Sequence, residues 1–83
     1  MIVVLAKSAA KEIEDLPETH YFRIKKSILA LAEDPYPQSA KKLSGRALYR
    51  LRVGPYRIVC EVDKERKVVT VTRVRHRREA YRR

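Results

Sequence analysis

The sequence predicts an α+β domain built in the order β-α-α-β-β-β: one short strand, a helical hairpin, and a three-stranded antiparallel meander, all joined into one sheet. Two patterns and the break between them carry this prediction. Apolar residues recur at helical spacing from Ala9 to Leu31. They recur with period two, flanked by charged residues, from Ala47 to Val74. Between the two regimes lies "YPQSAKKLSGRA", a polar stretch that reads as a loop.

Ile2 to Leu5, rich in β-branched residues, is the first strand. "SAAKEIEDL" follows as a helix, with Ser8 placed as its N-cap and Ala9, Ile13 and Leu16 on one face. Pro17 punctuates. A second helix is expected from Glu18 to Glu33, buried along Tyr21, Ile24, Ile28 and Leu31, and closed by Asp34-Pro35 and Pro37. Three strands are expected at 47–53, 56–62 and 67–74, separated by Gly54-Pro55 and by "DKER". The tail "RHRREAYRR" is either one helical turn or an irregular end.

The 83 residues are enough for a single domain spanning 1–83, with a small core and modest stability. "MIVVLAK" is too short an apolar run for a signal peptide or a membrane span. The one cysteine, Cys60, excludes an internal disulfide and suits a reducing cytoplasm. No His/Cys cluster has metal-ligand spacing, so neither a metal nor another cofactor is expected.

Charge is the most informative part of the composition. The net charge of +10 lies wholly in the second half: residues 1–40 hold five Lys/Arg against six Asp/Glu, and residues 41–83 hold fifteen against four. A half-molecule this basic attracts nucleic acid, or an acidic protein that mimics it.

The hairpin "YRLRVGPYRIV" concentrates the question. Side chains alternate across a strand, so Tyr49, Leu51 and Val53 share one face, and Arg50 and Arg52 the other. Tyr56, Ile58, Cys60 and Val62 likewise oppose Arg57, Val59 and Glu61. A two-residue loop at 54–55 or a four-residue loop at 53–56 gives one and the same pairing, with Leu51 across from Ile58 and Arg52 across from Arg57. Like charges in opposite positions cost about 0.2 to 1 kcal/mol. Folding gains nothing from them, whereas a phosphate would gain forked hydrogen bonds from two rigid strands.

"KKLSG" followed by "LYRLRVGPYRIVCEVD" and "VVTVTRVRHRREAY" resembles the RelE/ParE superfamily of toxins from type II toxin–antitoxin pairs. The ordered set of L-x-G loop, Y-R-x-R strand, Y-R-I-V strand and H-R-x-x-x-Y tail covers nearly the whole chain. The resemblance implies a RelE-like fold and, in the RelE branch, cleavage of mRNA in the ribosomal A site. It further implies a cognate RelB-like antitoxin, with the ribosome and mRNA as other partners and no membrane. Basic residues of the family match Arg50, Arg52 and Arg57, and its tail arginine and tyrosine match Arg77 and Tyr81. Several relatives carry a histidine at the position of His76.

The best-known RelE has lysines where this chain has Arg50 and Arg52, the second thought to act as general base. Arginine stays protonated at any ordinary pH, so Arg52 is expected to stabilise charge and the base must lie elsewhere. Cleavage by the ribose 2′-OH needs a base, cations for the phosphorane-like transition state, and an acid for the departing 5′-oxygen. Arg50, Arg52, Arg57 and Arg77 suit the cationic task, and His76 and Tyr81 are the first candidates for carrying protons. Tyr81 serves equally well as a stacking residue or an anchor for the tail, and Glu61 is a weaker candidate. Lys41, Lys42 and Arg46 are expected to attract RNA backbone in a general way. Cys60 reads as a core side chain, and His20 as a surface residue with no partner in view.

Three activities stay open at this point: the mRNA endonuclease, a DNA gyrase inhibitor of the ParE type, and a plain nucleic-acid binder or inactive homologue. The H-R-x-x-x-Y tail favours the first, because the ParE branch tends to lack it. The arginines in place of lysines leave the second open.

Overall fold

The computed structural model describes residues 1–43 and 47–76. Its elements are β1 (Ile2–Leu5), α1 (Lys7–Glu14), α2 (Glu18–Ala30), β2 (Lys41–Leu43), β3 (Leu48–Val53), β4 (Tyr56–Asp63) and β5 (Val68–His76). The strands form one sheet in the order β1-β5-β4-β3-β2. β3, β4 and β5 are the expected antiparallel meander, and β1 closes one edge by running parallel to β5, with Ile2 opposite Val68 and Leu5 opposite Val71.

The helices cover one face of this sheet. Ala9 and Ile13 of α1, and Ile24, Ile28 and Leu31 in and just after α2, are buried against Leu51, Val53, Tyr56, Ile58, Cys60, Val62, Val69, Val71 and Val74. The predicted stripes are therefore the ones buried, with Leu16 and Tyr21 half-buried at their margins. Among the described residues no helix packs on the opposite sheet face, which suits polar side chains there.

Several boundaries differ from expectation. The polar stretch after α2 is not all loop: Lys41–Leu43 adds a short edge strand, with Lys41 opposite Arg50 and Leu43 opposite Leu48. Two exposed lysines in a three-residue strand protect that edge from pairing with another chain. α2 ends at Ala30, and Leu31 to Glu33 tighten into a turn through bonds from Leu31 N to Ile28 O and from Glu33 N to Ala30 O. β5 continues to His76, two residues beyond the predicted end.

Ser8 is not an N-cap. Ala6 holds that position, in extended conformation and without a capping side chain. The Ser8 hydroxyl instead donates to Thr72 O at 2.9 Å, which sews α1 onto β5. The hairpin turn is the two-residue form, closed by Val53 opposite Tyr56. Gly54 has φ +59° there, so the backbone calls for glycine, while the only close neighbour of a Cβ would be the end of the flexible Arg23 side chain, whose Nη1 lies at 3.0 Å among the described residues.

Candidate nucleic-acid interface

The strand register assembles the basic residues rung by rung. Arg52 faces Arg57 across β3 and β4, and Arg57 faces Arg75 across β4 and β5. One rung of the open face thus carries three guanidinium-bearing residues. The next rung begins with Lys41 opposite Arg50, passes through Val59, and ends at Arg73. Neighbouring strands lie about 4.8 Å apart and residues two apart on a strand about 6.7 Å, so six cationic residues fall within a patch that one stretch of phosphodiester backbone can cover.

Arg52 is exposed, while Arg50, Arg57 and Arg75 are half-buried. The Nε of Arg50 is buried and meets no acceptor, an unusual state for a charged donor.

Arg75 and Arg73 escaped the reading of the sequence because of a bulge. Val69 and Val71 point to the helices, and strict alternation would send residues 73 and 75 the same way. The register shifts at Val59/Cys60, where Val59 pairs with Arg73 and Cys60 with Val71, so that Thr72 is the extra residue. From there Val74 points inward, and Arg73 and Arg75 occupy open-face positions of the register, with their guanidiniums drawn to Glu12 of α1 at the β5 edge. The signal was present: the valines of "VVTVTRV" change parity between 71 and 74.

The same shift separates His76 from the arginines. It lies opposite Tyr56, on the helix side, with ring centroids 5.4 Å apart at 84°. His20 of α2 packs on the other part of the Tyr56 ring at 5.0 Å, so this histidine does have a partner. Three rings from α2, β4 and β5 therefore form an edge-to-face chain. His76, a candidate proton carrier, thus stands at a register position on the face opposite that of Arg50, Arg52 and Arg57.

Lys41 and Lys42 also part company. Lys41 shares a rung with Arg50, whereas Lys42 faces Tyr49, on the other side of the sheet. Arg46, Arg77 and Tyr81 lie outside the described residues. Glu61, exposed between Leu48 and Thr70, sits farther along the open face than the three-arginine rung. Cys60 is buried, and burial pushes its thiol up to about 11, which keeps it protonated and poorly nucleophilic. Among the described residues no cluster of His, Cys, Asp or Glu could hold a metal ion.

Residues 3–81 match the family described as "ParE toxin of type II toxin-antitoxin system, parDE". This chain is a RelE/ParE-family toxin of a type II toxin–antitoxin system. It is 28% identical to a Methanocaldococcus jannaschii protein named as toxin RelE1, over 95% of this chain and 92% of that one. Its fold superimposes on the RelE of the Pyrococcus horikoshii OT3 RelE–RelB complex with a TM-score of 0.79 and 28% identity, covering 92% of this chain and 93% of that chain. Against isolated E. coli RelE the TM-score is 0.80 at 26% identity, covering 90% of this chain and 82% of that chain. The α+β architecture expected from the sequence is that of RelE toxins.

Proposed function

We propose that this toxin is a ribosome-dependent endoribonuclease that cuts mRNA in the A site, using the open sheet face to hold the scissile phosphate. The observation that supports this most strongly is the rung Arg52–Arg57–Arg75, with Arg50 and Lys41 on the rung beside it. Cations fixed on adjacent strands need little reorganisation when negative charge grows on the phosphorus oxygens, and this pre-orientation is what lowers the barrier.

In the proposed reaction the ribose 2′-oxygen loses its proton and attacks the adjacent phosphorus. The P–O5′ bond breaks, a proton reaches the departing 5′-oxygen, and the ends are a 2′,3′-cyclic phosphate and a 5′-hydroxyl. Arg50, Arg52, Arg57 and Arg75 stabilise charge, and Arg77 joins them on the strength of the family resemblance. With His76 placed on the helix side, Tyr81 becomes the preferred proton carrier on the strength of the family resemblance. Lys41 extends the electrostatic track, while Lys42 lies off it.

The described residues offer few groups that could orient a flexible strand, and orientation is worth several kcal/mol of barrier. A ribosome that already holds the codon supplies that part, which is why dependence on the ribosome is proposed. The P. horikoshii relative was solved with RelB. A RelB-like antitoxin with acidic segments is accordingly the proposed partner here, covering the basic face. No described helix is long and apolar enough to cross a membrane, and a cytoplasmic site of action is proposed with the ribosome as target.

The family match to ParE supports a second reading, inhibition of DNA gyrase without RNA cleavage. One experiment separates the two. Purified toxin is mixed with programmed ribosomes and end-labelled mRNA, and in parallel with gyrase and relaxed plasmid. Cleavage within the A-site codon supports the endonuclease; intact mRNA together with blocked supercoiling supports the gyrase inhibitor.

A further inference from the structure

α1 takes over the edge of β5 where β1 leaves off. β1 ends at Leu5 opposite Val71, and the next backbone donor, Ala6 N, bonds Val71 O at 2.9 Å. One residue farther along β5, the Ser8 hydroxyl donates to Thr72 O. One helical turn later, Glu12 Oε1 accepts from Val74 N at 2.7 Å. Ser8 and Glu12, four apart on α1, thus continue the hydrogen bonding of the missing edge strand past the Thr72 bulge.

Glu12 does more than close this edge. Its other oxygen, Oε2, accepts from Arg75 Nε at 2.9 Å and lies 3.4 Å from Arg73 Nη1. The carboxylate is mostly buried, at 22% side-chain exposure, against 35% for Arg75 and 49% for Arg73. A carboxylate held by a backbone N–H cannot swing to follow a mobile arginine. The arginine must come to it. Glu12 thereby fixes the guanidinium of Arg75 through Nε, and the two Nη groups at the far end of the fork have no acceptor among the described residues.

We infer that Glu12 is a positioning residue for the anion site: it orients Arg75 so that its Nη groups complete the rung begun by Arg52 and Arg57. The inference rests on the phosphate-binding reading of that face and names the group that sets its outermost cation. It explains why a carboxylate stands beside a site for anions. Glu12 spends its charge on the Nε side of one arginine and a neighbouring one, and not on the centre of the patch.

The test compares wild type, Glu12→Gln, Glu12→Ala, Arg75→Ala and the double variant Glu12→Ala/Arg75→Ala. Two readouts are taken: kcat and KM for cleavage of mRNA in programmed ribosomes, and the Nε–H resonances of arginine by 1H–15N NMR. Glu12→Ala is expected to lower kcat about 10- to 100-fold, the cost of a misplaced catalytic group, with KM little changed. Glu12→Gln keeps an acceptor for Val74 N and a neutral one for Arg75, and should recover much of the loss. In the Arg75→Ala background, removing Glu12 should cost nothing further, because its effect runs through Arg75.

The Arg75 Nε–H signal should be protected in wild type and Glu12→Gln and broadened by exchange in Glu12→Ala. Additive losses in the double variant, unchanged kcat in Glu12→Ala, or faster cleavage once Glu12 is removed would each overturn the inference. A wild type that leaves mRNA intact refutes the endonuclease reading instead, and the NMR comparison then still decides whether Glu12 fixes Arg75. Glu12→Ala without lost Arg75 protection would overturn the positioning role there too.

Discussion

Arg52 and Arg57 stand directly opposite one another in β3 and β4, two cations on the same face of adjacent antiparallel strands. Both side chains stand on the face away from the core, so each can be removed with the buried face of the hairpin untouched. Arg52→Ala and Arg57→Ala are therefore expected to stay folded, with a stability within about 1 kcal/mol of wild type. If the pair serves the reaction, each variant should lose about 100- to 1,000-fold in kcat for ribosomal mRNA cleavage. Thermal melts and single-turnover cleavage on the same preparations check both halves.

Arg52→Lys probes a different property. Lysine keeps the charge but can release its proton when neighbouring cations crowd it, which arginine cannot. Cleavage by this variant should equal or exceed wild type and should rise with pH over a range where wild type is flat. A large loss at every pH would show that the forked geometry of Arg52 matters more than proton release. A pH–rate profile for both proteins provides the comparison.

His76 is expected to act through packing. Its ring meets Tyr56 at 5.4 Å on the helix side of the sheet, and Tyr56 meets His20 at 5.0 Å. His76→Ala should cost about 0.5 to 1.5 kcal/mol of stability through loss of the edge-to-face contact. Cleavage should stay within a few-fold of wild type once temperature is lowered to keep the variant folded. A thousandfold loss in a folded variant would return His76 to the list of proton carriers.

Cys60 sets an alkaline limit. Its thiol is raised from 9.0 to about 11 by burial in the core. Below the lower value both folded and unfolded chains keep the proton, so stability does not change with pH on its account. Above it the unfolded chain releases the proton first, and stability falls until the folded value is passed. The loss approaches about 2 to 3 kcal/mol for a shift of this size. Urea titrations from pH 8 to 11 should show a steeper decline in wild type than in Cys60→Ala, since the other titrating groups are common to both.

Much of the hairpin was legible because parity is a hard constraint. Once Leu51 and Ile58 are buried, Arg52 and Arg57 have nowhere to go but the far face, and the structure pairs them as expected. Parity fails where a residue is inserted. The bulge at Thr72 reverses the facing of β5, so Arg75 joins the rung and His76 falls on the other face, where strict alternation from Val69 and Val71 would have put them the other way round. Glu12 was invisible for another reason: its partners are 61 to 63 residues away, and helical periodicity marks only the buried side of α1. β2 was hidden because three polar-flanked residues carry no period of their own, and only their pairing with β3 makes them a strand. The parallel placement of β1 is likewise a long-range choice, settled by β5.

The most direct measurement uses two messages on programmed ribosomes, one all-ribose and one with a single 2′-deoxy residue at the expected cut in the A-site codon. Wild-type toxin should cut the first to leave a 2′,3′-cyclic phosphate and a 5′-hydroxyl, and should leave the second whole. A folded Arg52→Ala/Arg57→Ala variant should cut neither. Undiminished cleavage by that double variant would contradict a phosphate site on the open face.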